Sequence, residues 1–199
     1  MSSTSRTLSI DNPSRRRLLG GSVLALAGLT LACSRSGAAG AAAMVASGPP
    51  PLVTVVEFSK DGHRLKTGRV PKIVKSLDAW KKQLSPASFS ITRRAGTERP
   101  FSGKYNDLHT KGIFRCICCE TALFDSATKF DSGTGWPSFW QPIAEENLLA
   151  KQDRMLGVLR TETTCRRCDA HLGHVFEDGP KPTGLRYCMN SVALHFVAA

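Results

Sequence analysis

Two CxxC pairs constrain this chain more than any other feature of its sequence. Cys116 and Cys119 form the first and Cys165 and Cys168 the second, with 45 residues between Cys119 and Cys165. Each CxxC turn presents two sulfurs to one ion, so the four together match the ligand set of a tetrahedral structural zinc. Two alternatives use the same residues. Two disulfides would suit an exported chain, and a thioredoxin-like redox CxxC would need a βαβ pattern that the sequence lacks. Spacing and duplication favour zinc. The interval is longer than in a minimal zinc ribbon, so the pairs are expected to clip a domain together. Such a clip would be strong, since thiolate zinc sites contribute about 10 to 16 kcal/mol against a domain stability of about 5 to 15.

With those four assigned, and Cys33 set aside near the N-terminus, Cys118 and Cys188 remain. Cys118 lies inside the first CxxC turn. Cys188 lies in LRYCMN, where alternation at period 2 directs Arg186, Cys188 and Asn190 to one side of a strand and Tyr187 and Met189 to the other. A thiol on the same face as a cation is a candidate nucleophile, because the thiolate is the reactive form and a nearby arginine stabilises it. A buried core cysteine is the competing reading of the same pattern. Upstream, His171 and His174 stand three positions apart, with Gly173 between them offering a bend that lets both face one site.

The chain opens differently. SRRRLL at 14–19 leads into the uncharged LLGGSVLALAGLTLA of 18–32. That run is short of the roughly 20 apolar residues of a bilayer span and suits the h-region of an export signal. Arg15 and Arg16 resemble the twin-arginine type of bacterial leader, so the protein is expected in the periplasm or cell envelope. Cys33 follows LTLA as a lipid-attachment cysteine would, with Thr30 where leucine is usual, and the AAGAAA run beyond it offers ordinary cleavage instead. We therefore divide the chain into an export signal at 1–33, an Ala/Gly/Pro-rich linker at 34–51, an N-terminal extension at 52–75 that reads as a hairpin turning at Asp61–Gly62, and a catalytic domain at 76–199.

Within that domain Ser76 is placed to cap a short helix carrying Leu77, Trp80 and Leu84 on one face, and Ser85–Pro86 to start a second helix or a turn, with Gly96 suited to a C-cap. From Arg99 onward short apolar runs alternate with Gly, Asp, Ser and Pro, which indicates a mainly β, antiparallel domain. The net charge of +11 is a scattered surplus without a nucleic-acid reading motif, so no nucleic acid partner is expected. Membrane contact is expected only through the leader or through lipidation at Cys33, and the chain is expected to act as a monomer.

Several segments then resemble one family closely: TERPFSGKY at 97–105, the first CxxC, KFDSGTGWPSF at 129–139, RTE at 160–162, and CRRCDAHLGHVFEDGPKPTGLRYCMNS at 165–191. They are similar to the methionine-R-sulfoxide reductases of the B type. The resemblance implies two antiparallel sheets packed at an angle, a β-tent, with short helices at the start. It implies one structural zinc held by Cys116, Cys119, Cys165 and Cys168, and Cys188 as the nucleophile. It places His171, His174 and Asn190 in the catalytic pocket, and Trp136 against the methyl group of the substrate with Asp178 and Arg186 beside it. The implied activity is thiol-dependent repair of methionine-R-sulfoxide, free or in oxidised proteins, through a sulfenic acid on Cys188.

A sulfoxide offers an electrophilic sulfur, a polar oxygen and a methyl group, so its reduction calls for a soft nucleophile, a proton donor and an apolar pocket. Many relatives carry a resolving cysteine where this chain has Thr134. Cys118 is then the candidate resolving thiol, and direct reduction by a thioredoxin-like dithiol is the preferred expectation. Two other classes compete: a zinc-clipped binding module, which leaves Cys188 and the GWPSF loop unexplained, and a zinc hydrolase, which needs a metal position that four cysteines would fill.

Overall fold

The structure, a computed structural model, describes residues 48–153 and 160–199. The segment expected to be an export signal, Cys33 and most of the expected linker lie outside the described residues.

Strands β1 (Leu52–Phe58) and β2 (Arg64–Pro71) form an antiparallel hairpin in register from Leu52↔Pro71, with Asp61 and Gly62 in its turn. It is more than an appendage. Val55 and Val56 are buried, and the side chain of the fully buried Asn147 pins Val56 from both sides. The Asn147 Oδ1 accepts the Val56 N–H at 2.8 Å, while its amide group donates to the carbonyls of Val56 and Ala122, both at 2.9 Å. β1 is thereby joined to the body through groups that have no access to water.

Two short helices follow, α1 (Leu77–Gln83) and α2 (Pro86–Arg94). Each starts where a serine can cap it: Ser76 accepts the N–H of Ala79, and Ser85 that of Ser88. The expected apolar face of α1 narrows, however. Trp80 is 3% exposed and Leu84 is buried, but Leu77 is 57% exposed, because so short a helix brings only one i, i+4 pair onto the core. The end of α2 also differs from expectation. Ala95, not Gly96, takes the left-handed conformation, at φ 50°. Gly96 serves a different need, since a Cβ there would lie 3.2 Å from the Ser90 carbonyl oxygen.

The rest is β structure in two antiparallel sheets. β3 (Gly112–Cys116) is flanked by β4 (Ala122–Asp125) and β11 (Leu194–Ala198). The larger sheet has β5 (Lys129–Phe130), β6 (Ser138–Phe139), β7 (Leu148–Asp153), β8 (Arg160–Cys165), β9 (His171–Phe176) and β10 (Arg186–Met189), in the order β5-β6-β10-β9-β8-β7. Aromatic rings join the two. Phe124 of β4 stacks on Phe139 of β6 with centroids 4.4 Å apart, and Phe114 of β3 meets the same ring edge-on at 4.9 Å. Leu123, Leu172, Met189 and Leu194 complete this dry centre. The mainly β architecture read from the sequence is thus present, with the β1–β2 hairpin as a third, smaller sheet.

Replacing Asn147 with Ala removes the partners of one N–H and two carbonyls in a buried setting. The Asn147→Ala protein is expected to lose about 3 kcal/mol in urea unfolding, with the Val56 amide losing hydrogen-exchange protection out of proportion to that of Phe114.

Candidate active site and metal-binding cluster

The strand registers build the site. Cys188 of β10 lies opposite Ser138 of β6 and opposite His174 of β9; His174 lies opposite Glu162 of β8, and Glu162 opposite Lys151 of β7. Residues directly opposite in antiparallel strands share a face, so one row across five strands carries a hydroxyl, a thiol, an imidazole, a carboxylate and an ammonium. Gly173 lets β9 and β10 come together at the thiol: a Cβ there would sit 2.0 Å from the Cys188 carbonyl oxygen.

His171 stands three residues from His174 and should point to the opposite face of a regular strand. It does not, because the β8–β9 register runs from Thr163↔Gly173 directly to Thr164↔His171, leaving Leu172 as the extra residue of a bulge. The two imidazole rings end 5.4 Å apart. A bend at Gly173 was expected to let both histidines face one site; the bulge falls at Leu172 instead, and of the two only His174 lines the cleft over this row. Each ring has its own carboxylate, with His171 Nδ1 2.7 Å from Glu162 and His174 Nε2 3.0 Å from Asp153. Asp153 also accepts from Arg160 at 2.9 Å.

A cleft of about 140 Å³ opens over this row, lined by Thr97, Trp136, Arg160, Gly173, His174, Phe176, Cys188, Met189 and Asn190. The structure therefore brings Trp136, His174, Cys188 and Asn190 of the expected site residues to one cavity. His171, Asp178 and Arg186 stand outside its lining. His171 is buried behind His174, with its Nε2 unpaired. Arg186 makes a two-pronged pair with Asp178, at 2.8 Å for each bond, and lies over the Phe176 ring at 4.4 Å. Its contribution to the cleft is to support Phe176 and to set the field at Cys188. A wider groove of about 670 Å³ runs past Arg64, Glu145 and Arg166, and no thiol lines it.

Several of the groups that hold the cleft carried no role in the sequence. Glu98 is the main one. Its carbonyl accepts the Trp136 indole N–H at 3.1 Å, its N–H donates to Asn190 Oδ1 at 3.0 Å, and its carboxylate accepts the N–H groups of Ser191 and Val192 at 2.6 and 3.2 Å. Asn190 in turn donates through Nδ2 to the Leu172 carbonyl at 3.0 Å. The polar bonds of Asn190 thus go to backbone, and it braces the end of β10 against β9. The hydroxyls of Ser132, Thr134 and Ser138 form a chain with 2.8 Å links beside Cys188. Glu98 and Arg160 sit in segments that matched the family, but nothing in their spacing marked them individually.

Electrostatically the thiol and the imidazole are both held neutral. Burial pushes the Cys188 thiol above its ordinary value; Arg186, Thr134 and Ser138 pull it down without overcoming burial. Arg186 is spent partly on Asp178, which limits what it offers the sulfur. Burial lowers His174, aided by the Arg160 and His171 charges and opposed by Asp153. Because the folded state disfavours protonated His174, this contribution to stability is present above about pH 6.5 and is lost as pH falls through the lower folded value.

The four CxxC cysteines converge elsewhere, where the β3–β4 turn meets the β8–β9 turn. Their sulfurs lie within 4.8 Å of one another, with Cys116–Cys168 at 3.7 Å and Cys119–Cys165 at 3.6 Å. A tetrahedral ion with metal–sulfur bonds of about 2.3 Å requires sulfurs about 3.8 Å apart, so the set fits one metal ion and is compatible with zinc. The close pairs cross between the two CxxC turns. Both turns have one conformation: Cys116 N–H donates to the Thr121 carbonyl and Cys165 N–H to that of Ala170, and Glu120 and Asp169 adopt φ 59° and 53°. α1 and α2 brace them, Gln83 donating to the Cys118 carbonyl and Arg93 to that of Cys168. Cys118 is buried on this side of the molecule and does not line the cleft.

The neutral thiol can be tested directly. Alkylation of Cys188 by iodoacetamide is expected to rise with pH along a curve centred above that of a free cysteine. Arg186→Gln should move the midpoint higher still, because it removes a cation that favours the thiolate. Asp153→Asn should move the His174 ring titration, followed by NMR, further down.

Residues 84–198 match the SelR domain. A peptide methionine sulfoxide reductase MsrB of Pseudomonas savastanoi pv. phaseolicola is 57% identical over 126 residues, which cover 63% of this chain and 96% of that protein. The protein of the same name from Pseudomonas entomophila is 58% identical over 123 residues, 62% of this chain and 94% of its own. That from Thioalkalivibrio sulfidiphilus is 57% identical over 122 residues, 61% and 89% respectively. A domain match across more than half of the chain, with such identity along nearly the whole of these relatives, means that the chain belongs to the SelR-domain family of B-type peptide methionine sulfoxide reductases.

Proposed function

We propose that this protein reduces methionine-R-sulfoxide in oxidised proteins and peptides to methionine, with Cys188 as the nucleophile and a thioredoxin-like dithiol as the final reductant. The observation that carries the proposal is the cross-strand pairing of Cys188 with His174 at a side-chain-sized cleft walled by Trp136. The wider groove past Arg64 has neither a thiol nor an imidazole on its wall.

In the resting site the Cys188 proton is still on sulfur and His174 is uncharged. As the thiol sulfur attacks the sulfoxide sulfur, His174 takes the thiol proton and delivers it to the sulfoxide oxygen, directly or through water. Trp136 and Phe176 supply apolar surface for the methyl end of the substrate, and the indole cannot turn away because its N–H is engaged by Glu98. The oxygen passes to Cys188 as a sulfenic acid, and methionine, now reduced, leaves. One thiol of the reductant then attacks the sulfenic sulfur and releases water. Its second thiol breaks the mixed disulfide, restoring the Cys188 thiol and leaving the reductant oxidised.

Direct reduction is favoured over an internal disulfide by the position of Cys118, buried at the metal-binding cluster, and by the hydroxyl of Thr134 beside Cys188. We assign the four-cysteine cluster to one structural zinc, held by Cys116, Cys119, Cys165 and Cys168. It would bind the four as thiolates, offset half of their charge and take no part in the reaction. On the strength of Arg15, Arg16 and the apolar run at 18–32 alone, we place this chemistry in the bacterial envelope. Among the described residues no helix is long and apolar enough to cross a membrane.

With dithiothreitol as reductant, the protein is expected to reduce the R epimer of an N-acetyl-methionine sulfoxide amide and leave the S epimer. Cys188→Ser should lower that rate more than about 1,000-fold. Oxidised enzyme mapped by mass spectrometry should carry a dimedone-trapped sulfenic acid on Cys188; an abundant Cys118–Cys188 peptide would refute the direct route. For the metal, one zinc per chain is expected by elemental analysis. Cys165→Ser should lose most of it and melt about 10 °C lower or more.

A further inference from the structure

Beside the cleft stands a feature that the reaction does not use. Phe101 is 69% exposed, with φ at 60°, in the left-handed region that a bulky residue rarely enters. It is held there firmly. Its N–H donates to the Gly135 carbonyl at 2.7 Å, and the Ser102 side chain closes the same turn onto the Arg99 carbonyl at 2.7 Å. The ring lies against Gly135 so closely that a Cβ on that glycine would fall 2.7 Å from Phe101 Cδ2. Gly135 immediately precedes Trp136, and Thr97, four residues before Phe101, lines the cleft. The fold thus commits a strained backbone to presenting an aromatic face to solvent at the rim of the active site.

The cleft itself shows what that face could meet. At about 140 Å³ it is well below the roughly 300 Å³ at which whole small-molecule pockets begin. It takes one side chain, and the backbone that bears the side chain has to run over the rim. We propose that Phe101 is a docking platform for the polypeptide that flanks the methionine sulfoxide. It would bind an apolar side chain one or two positions away and so select among peptide sulfoxides by the residues that flank them. This rests on the reductase reading above and names a residue that sets flank specificity at the same site. An exposed, preorganised aromatic is the kind of group that carries contact energy at protein interfaces, and its rigid backbone means little ordering cost on binding.

The test uses the full chain and three R-sulfoxide substrates: the N-acetyl amide of the amino acid, a pentapeptide with glycine flanks, and one with leucine flanks. Wild type is expected to prefer the leucine-flanked over the glycine-flanked peptide about tenfold in kcat/KM, chiefly through KM. In Phe101→Ala that preference should fall to about twofold or less. Phe101→Gly, which suits the left-handed backbone, should behave the same way and guards against a folding defect in the alanine variant. Retained preference in both variants, absence of the preference in wild type, or an equal loss on all three substrates would overturn the proposal, the last by showing that Phe101 only supports the Trp136 loop. Failure of wild type to reduce any R-sulfoxide would instead refute the reductase reading, and this inference with it.

Discussion

The convergence of four cysteine sulfurs is the interaction on which the rest depends. The first CxxC turn closes the β3–β4 hairpin of the smaller sheet, and the second closes the β8–β9 hairpin of the larger. Joining them fixes where β9 starts, and β9 carries both histidines. The aromatic stack of Phe124 on Phe139 holds the same two sheets together further along, at β6. Two attachments, one through sulfur and one through rings, therefore set how β6, β10 and β9 lie side by side. Cys188 sits on the middle strand of these three.

From that frame the site follows from register alone. Opposed positions in neighbouring strands place Ser138, Cys188 and His174 in one row, and a single bulge at Leu172 turns His171 to the same side. The loops then close over the row through Glu98, which receives the indole N–H of Trp136 and two backbone N–H groups beyond Asn190 while its own N–H engages Asn190. One carboxylate residue thus links the aromatic wall, the end of the thiol strand and the 3₁₀ turn at Ser191–Ala193.

Much of this was legible in the chain because it depends on local chemistry. The CxxC pairs, the serine caps of α1 and α2, the Asp61–Gly62 turn and the strand around Cys188 each carry their signal within a few residues. What escaped depends on partners far away. Asn147 has no periodicity to mark it, and its partner Val56 is 91 positions distant. Glu98 bonds to residues 92 to 94 positions later. Leu77 fitted a helical stripe, yet whether the core reaches it is decided by neighbouring elements. Gly96 looked like a helix stop because glycine usually takes the left-handed position, whereas here Ala95 takes it and Gly96 admits the Ser90 carbonyl. Arg186 was rightly placed near the thiol, but the local pattern could not weigh its attraction against the burial of Cys188 or show that Asp178 already holds it.

That last balance bears on how a buried cysteine can be both stable and reactive. A permanently ionised thiol at a surface would react with any oxidant that reached it. Here the thiol keeps its proton, and the imidazole opposite is kept neutral by the same burial. In the reaction proposed above, nucleophilic sulfur is produced only when the proton has somewhere to go. A sulfoxide brings its own acceptor, an oxygen whose basicity rises as its bond to sulfur weakens, so the substrate that can be reduced is also the one that draws the proton away. On that proposal, removing the burial would raise the thiolate fraction and lose that coupling; removing His174 would keep the burial and leave the proton without a route. On the same proposal the apolar walls and the imidazole act as parts of one device around Cys188, with His174 and Phe176 both on β9 and Trp136 in the loop that leads into β6.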